Sequence, residues 1–390
     1  MENRRRTGKD GEGRGRTLLV ALVVAAAACR AEHPAAPIEP PPGMDSVPIA
    51  GHVLYVPSGF HLNIWATVSG GPRFMALAPD STVYVTLTGQ GRVVRLLDLN
   101  HDGVAESSAV FKSGLTGPHG IAFRGDTLYV AEANGVKRYD PGAASPVQLV
   151  SNLPTGGHST RTVAFGPDNM MYVSIGSSNN IGPETDTLRA TVMQYTLLGT
   201  GGHIFARGLR NSVGLAFHPT TGALWATNND RDDIGGSNVA MTDSLPPERI
   251  NVLIDGKNYG WPQCYLPNRA NPEYAGAPCS TVQAPAITFT AHSAPLGIAF
   301  YTGTMFPVDY QGDAFVAYHG SWDRSVPTGA KVVRVHVQNG LPVGIDDFVV
   351  GWLSTNPYWG RPAGLLVMPD GALLISDDAR GRIWRVSYGN

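Results

Sequence analysis

Residues 156–180 read "GGHSTRTVAFGPDNMMYVSIGSSNN". Val163 and Phe165 alternate before a Gly-Pro-Asp-Asn turn, and Met171, Val173 and Ile175 alternate after it, which predicts a hairpin of two short strands. The margins do not suit a plain hairpin. His158, two hydroxyls and Arg161 precede the first strand, and Ser177, Ser178, Asn179 and Asn180 follow the second.

The frame recurs. "GPRFMALAPDSTVYVTLTGQG" (71–91), "GPHGIAFRGDTLYVAEANG" (117–135) and "RNSVGLAFHPTTGALWATNNDRDD" (210–233) repeat it. So do "HSAPLGIAFYTGTMFPVDYQGDAFVAYHGSWDRS" (292–325) and "GRPAGLLVMPDGALLISDDARG" (360–381). Each carries a polar lead, a small-apolar strand, a turn, a second strand and a polar tail. Third strands such as "RVVRLLD" and "RIWRVSY" follow several of them. Six spaced copies of an antiparallel unit predict an all-β, six-bladed β-propeller. A two-sheet sandwich is the alternative, and it leaves the recurrence unexplained.

Pseudo-sixfold symmetry brings equivalent positions together around one axis. The leads His119, His158, Arg210 with Asn211, His292 with Ser293, and Arg361 are therefore expected at one mouth, with the tails close by. Arg210, Arg231, Arg324 and Arg361 all fall in leads or tails. Guanidinium groups gathered there suit a flat ligand with several carboxylates, gripped bidentately.

Bulk properties narrow the function. A chain of 390 residues with 15% charged residues and a net charge of −2 offers no electrostatic case for nucleic acid. Its 47 glycines and 30 prolines, spread along the length, suit many turns between short strands.

The N-terminus reads as a targeting segment. Arg4, Arg5, Arg6, Lys9, Arg14 and Arg16 precede an apolar run of eleven residues, Leu18 to Ala28. That run is too short to span a bilayer and suits a signal peptide over 1–29. Small residues before Cys29 resemble a bacterial lipoprotein cleavage box, with ordinary signal-peptidase cleavage as the alternative. Residues 30–51 are Pro-rich and read as a tether, so the propeller is expected over 52–390. The expected location is periplasmic, with membrane contact only through the lipid. In an oxidising compartment the remaining cysteines, Cys264 and Cys279, are expected to pair.

"HSTRTVAFGPD", "RGLRNSVGLAFHP", "INVLIDGKNYGWPQCY", "HGSWDRSVPTGAKVVRV" and "GRPAGLLVMPDGALLISDDARGRIWRV" resemble the soluble quinoprotein sugar dehydrogenases, nearest the L-sorbosone dehydrogenase-like branch. The resemblance covers about residues 52–388. It implies pyrroloquinoline quinone (PQQ) and Ca²⁺ at the mouth. By motif, His158 is the implied catalytic base, Arg210 lies beside the reacting quinone carbonyl, and Asn211 hydrogen-bonds the quinone. Arg324 and Arg361 are implied cationic partners of the cofactor. The backbone carbonyls of Asp230 and Arg231 are the implied Ca²⁺ ligands. Better-known glucose-oxidising members orient the base with a carboxylate, where this chain has Ser177. Lys331 lies near the family's cofactor lysine, with Arg324 the better match.

"DLNHDGVAE" (98–106) is a second metal candidate. Asp98, Asn100, Asp102 and Glu106 resemble a Ca²⁺-binding hairpin loop, though Ala109 stands where an EF-hand has its last glutamate. The function expected is oxidation of a sugar or sugar-derived aldehyde or alcohol. Electrons would pass to an external acceptor (a cytochrome c or a quinone), since no haem attachment motif is present. One rival is a six-bladed Ca²⁺-dependent lactonase, for which Asp232, Asp233, Asp377 and Asp378 are the available acids. The other is a non-catalytic binding propeller.

Overall fold

The computed structural model describes residues 40–353 and 358–389. Cys29 and the segment before it lie outside the described residues. The hairpins expected from the repeats form, and each grows into a blade of a six-bladed all-β propeller. The innermost strands are Pro72–Leu77, Ile121–Arg124, Val163–Phe165, Leu215–Phe217, Pro295–Phe300 and Pro362–Val367. Each pairs antiparallel with the next strand of its blade: Val83–Leu87, Thr127–Glu132, Met171–Ile175, Leu224–Asn228, Ala314–Tyr318 and Leu373–Asp377. Two further strands complete each sheet, and Lys257–Asn258 adds a short parallel strand to the third blade.

The blades pack around the axis so closely that side chains are excluded there. A Cβ on Gly214 would lie 2.2 Å from the Leu296 carbonyl oxygen, and one on Gly364 would lie 2.3 Å from that of Arg73. Only glycine tolerates such an approach. The same carbonyls are claimed by neighbouring blades. Thr86 Oγ1 donates to His119 O at 2.8 Å, Gly120 N to Arg161 O at 2.7 Å, and Thr227 Oγ1 to Leu296 O at 2.8 Å. Thr162 Oγ1 donates to Val213 O and Ser376 Oγ to Arg73 O, so the pattern continues through the third and sixth blades. A small channel of about 110 Å³ remains on the axis, lined by Phe74, Ile121, Thr162, Leu215, Ile298 and Leu365 among others. The apolar cores lie between blades, the largest around Phe60, Phe306, Phe315, Phe348, Trp352 and Trp384.

The sixth blade draws on both ends of the described chain. Its outermost strand, Phe60–Thr67, comes before the first repeat and pairs with Arg382–Tyr388. The expected tether is corrected at its end. Met44–Ile49 is a strand paired with His52–Pro57, and that hairpin is joined to the fifth blade by hydrogen bonds between Tyr55 and Val350. Pairing supplies the order that a Pro-rich composition alone does not suggest.

Leads and tails share one end of the molecule because the inner strand starts where the second strand stops. Pro72 pairs with Leu87, Asn211 with Asn229, and Pro362 with Asp377.

Candidate active site at the mouth of the propeller

His158 sits between the lead and tail of the third blade, half-buried, with its own N–H on Ser177 O at 3.0 Å. Its ring Nδ1 lies 2.9 Å from Ser177 Oγ and 3.2 Å from Ser177 O. Ser177 Oγ gives its proton to Asn179 O at 2.7 Å, so both oxygens facing Nδ1 are acceptors. The proton therefore belongs on Nδ1, and Nε2 keeps a lone pair. Burial and the Arg210 guanidinium push the imidazole pKa down to about 4. The ring is a neutral acceptor at ordinary pH.

Arg161, four residues before Phe165, is fully buried and does not line the mouth. It donates to the carbonyls of His158 at 2.8 Å and Thr160 at 3.1 Å, and also to that of Pro154. Arg189, outside every repeat, does the same for the carbonyls of Gly156, Gly176, Ser177 and Thr155. These two guanidiniums staple the loop that presents His158. Arg161 stood out in the sequence, whereas nothing marked Arg189.

Arg210 is brought beside His158, but its donors are committed. Nε donates to Asn180 O at 2.9 Å, Nη1 to Asp230 O at 2.6 Å and Asn229 O at 3.5 Å. Nη2 donates to Asn180 Oδ1 at 2.9 Å and Asp232 Oδ2 at 3.1 Å. With all five N–H groups engaged, Arg210 clamps the tails of the third and fourth blades together. Asn180 is the hub: its amide also accepts from Asp232 N at 2.8 Å and donates to Asp232 O at 3.0 Å.

Asn211 is half-buried, and among the described residues its side chain has no hydrogen-bond partner. A Cβ on Gly176 would lie 2.5 Å from His158 Cβ and 2.9 Å from Asn211 Oδ1. That missing side chain lets the His158 imidazole and the Asn211 amide stand together.

The other expected residues separate. Arg361 holds the carbonyls of His319 and Gly320, each at 2.9 Å, and keeps Nη1 uncommitted among the described residues. Arg324 fixes the fifth-blade tail through the carbonyls of Asp243, Ala291 and Val326. Arg231 turns to Glu273 at 2.6 Å. Lys331 pairs with Asp347 at 2.5 Å on strands of the fifth blade. Asp230 directs its carboxylate to the buried Arg249.

Arg73 and His319, passed over in the sequence, complete the rim. Arg73 stands where His119 and Arg161 stand in their repeats, a signal that alignment of the leads exposes. Asp378 accepts from Arg73 at 2.5 Å and from His319 at 2.9 and 3.0 Å. Burial alone would raise the Asp378 pKa, but His319 and Arg73 outweigh it and hold the carboxyl at about 2. Asp377 caps its own tail, accepting from Arg361 N at 2.9 Å and Ala379 N at 3.1 Å. Neither of these two acids is left free for a metal on the axis.

The residues present suit pyrroloquinoline quinone: an unpartnered Asn211 amide and a free His158 nitrogen stand at a cradle that a Cβ on Gly176 would fill, and Arg361 keeps an uncommitted N–H in the sixth-blade lead. Arg210 Nη1 occupies the Asp230 carbonyl at 2.6 Å, so a cation there needs that guanidinium to move aside. The hairpin loop at 98–106 is remote from the mouth strands. Its Asp98, Asp102 and Glu106 carboxylates converge within 4.8 Å, beside backbone N–H donors of the same turn. Cys264 and Cys279 form the expected disulfide.

The chain is 34% identical over 254 residues to an uncharacterized protein of Borreliella burgdorferi, covering 62% of this chain and 64% of that one. It is 27% identical over 399 residues to a pyrroloquinoline quinone-dependent sugar dehydrogenase of Hypocrea jecorina, covering 84% and 87%. The fold matches the PQQ domain of pyranose dehydrogenase from Coprinopsis cinerea with a TM-score of 0.75 and 23% identity, over 86% of this chain and 97% of that domain. The TrAA12-like family model matches residues 54–271 and 266–389, and this chain belongs to that family.

Proposed function

We propose that this protein is a PQQ-dependent dehydrogenase that oxidises a sugar or a sugar-derived aldehyde or alcohol, with His158 as general base. One observation carries the reading: Nδ1 is fixed as a donor on Ser177, and Nε2 is left as a lone pair in a half-buried, neutral ring. When bound, pyrroloquinoline quinone supplies the electrophilic centre that accepts hydride. His158 Nε2 takes the substrate hydroxyl proton, and Ser177 holds the ring plane while the charge develops. Arg210 acts through position, tying Asn180, Asp230 and Asp232 around the base. Asn211 and the free N–H of Arg361 orient the cofactor.

Sorbosone-like specificity, transfer of electrons to a separate cytochrome c or quinone, and Ca²⁺ at the Asp230 and Arg231 carbonyls belong to the same proposal. The calcium part requires Arg210 Nη1 to leave the Asp230 carbonyl, so Arg210→Lys, with fewer donors, is expected to raise Ca²⁺ affinity by calorimetry. A periplasmic location with a lipid at Cys29 is also proposed. Cys29→Ser should move the protein from the membrane to the soluble fraction, and unchanged partitioning would exclude the anchor.

The decisive experiment adds the cofactor with Ca²⁺ and follows quinone absorption and dye reduction with aldoses and sorbosone. His158→Gln should keep the spectral signature of bound cofactor while turnover falls by roughly 10²–10⁴. Near-normal turnover in that variant would reduce the histidine to a loop residue. No cofactor binding at all would leave a non-catalytic propeller.

A further inference from the structure

The chain has seven tryptophans. Six of them, Trp65, Trp225, Trp261, Trp352, Trp359 and Trp384, are at most 4% exposed. The seventh, Trp322, is 75% exposed. It lies in the tail of the fifth blade, at the mouth end, on a segment that is held firmly. Ser325 N donates to Asp243 Oδ1 at 2.8 Å, Arg324 Nη1 to Asp243 O at 2.5 Å, and Asp233 N to Asp323 Oδ2 at 2.5 Å. Thr328 N and the Tyr358 hydroxyl secure Ser321 at the base of the loop, each at 2.9 Å. An indole kept in water on a stapled loop presents a flat apolar face at a fixed position.

The indole lines a groove of about 290 Å³ between the fourth- and fifth-blade tails, with Val239, Thr242, Asp233, Asp243 and Asp323. Among the described residues, the Asp233 carboxylate and Asp323 Oδ1 accept no hydrogen bond. The groove shares the fourth-blade tail with the mouth, since its Asp233 follows Asp232, which binds Arg210 at 3.1 Å.

We propose that this groove is a subsite for a second, neutral glycosyl unit of an oligosaccharide whose terminal ring is oxidised at His158, with Trp322 as its stacking platform. The proposal rests on the reading of the mouth as a sugar-oxidising site. The apolar face of a pyranose covers the indole, and its hydroxyls donate to the open carboxylates. The carboxylates disfavour sugar acids by like charge. At about 290 Å³ the groove has room for one sugar ring.

Because six indoles are buried, acrylamide quenching reports mainly on Trp322. In the full chain, with and without cofactor, cellotriose or maltotriose should shield it, glucose should do so less, and the response should vanish in Trp322→Ala. In the cofactor-loaded enzyme the ratio of kcat/KM for trisaccharide to that for glucose should fall about tenfold in Trp322→Ala and recover in part in Trp322→Phe. Shielding by trisaccharide without cofactor-dependent oxidation would keep the subsite and overturn the dehydrogenase reading. An unchanged quenching profile with an unchanged ratio would overturn the subsite, as would shielding by a cytochrome c alone.

Discussion

The Nδ1 proton of His158 is committed to Ser177, so a change at Ser177 can retune the imidazole without moving Nε2. A folded-state pKa near 4 means the ring is neutral above that value, and only the neutral ring accepts a proton. In the wild type, kcat/KM should therefore rise with pH through about 4 and stay flat above it. Ser177→Asp places a negative charge against Nδ1–H, which favours the imidazolium and raises the pKa. The acid limb should move to higher pH, visible in a full pH profile. A limb that stays put would mean that Ser177 does not govern this nitrogen. At this scale the sequence was partly legible. The unusual margins of one hairpin pointed to His158, but whether an arginine faces a ligand or a carbonyl depends on loops far apart in the chain. Arg161, Arg189 and Arg210 all answer to backbone oxygens that no local pattern announces.

The excursion 254–286 interrupts the fourth blade and shows how an element outside the repeats serves the mouth. The disulfide between Cys264 and Cys279 closes it. From within it Trp261 Nε1 donates to Asn180 O at 3.3 Å, and the Tyr265 carbonyl accepts from Arg249 Nη1 at 2.7 Å. Cysteine count and an expected export sufficed to expect the bond, whereas its reach to the Asn180 hub did not follow from sequence. Reduction should destabilise the fold by about 3 kcal/mol on the chain-entropy model, measured by urea denaturation with and without reductant. Cofactor affinity should fall with it, because Asn180 loses a support. Equal urea midpoints in the two conditions would make the excursion an independent appendage.

For the whole molecule, recurrence was the strongest signal, and it gave six blades because each hairpin is a local event. Ring closure was not readable in the same way. "FHLNIWAT" (60–67) lacks the lead, turn and tail of the repeats, and only geometry shows it as the outer strand of the sixth blade. Trp384, fully buried where that strand meets Arg382–Tyr388, carries much of the seam. Trp384→Ala should cost about 3–5 kcal/mol, read by thermal or urea denaturation. Deleting residues 381–390 should abolish cooperative unfolding, since it exposes the Phe60–Thr67 edge and opens the ring. A truncated chain with a wild-type transition would show that closure is dispensable.

That seam also fixes a timetable. A polypeptide leaves the ribosome from its N-terminus, so Phe60–Thr67 is made before the first repeat, and its partner Arg382–Tyr388 only after the sixth. Five blades can fold as they emerge. That early strand meanwhile waits unpaired, with its edge exposed, until Arg382–Tyr388 has been translated. Whatever keeps the nascent protein from aggregating must protect that strand while all six repeats are made.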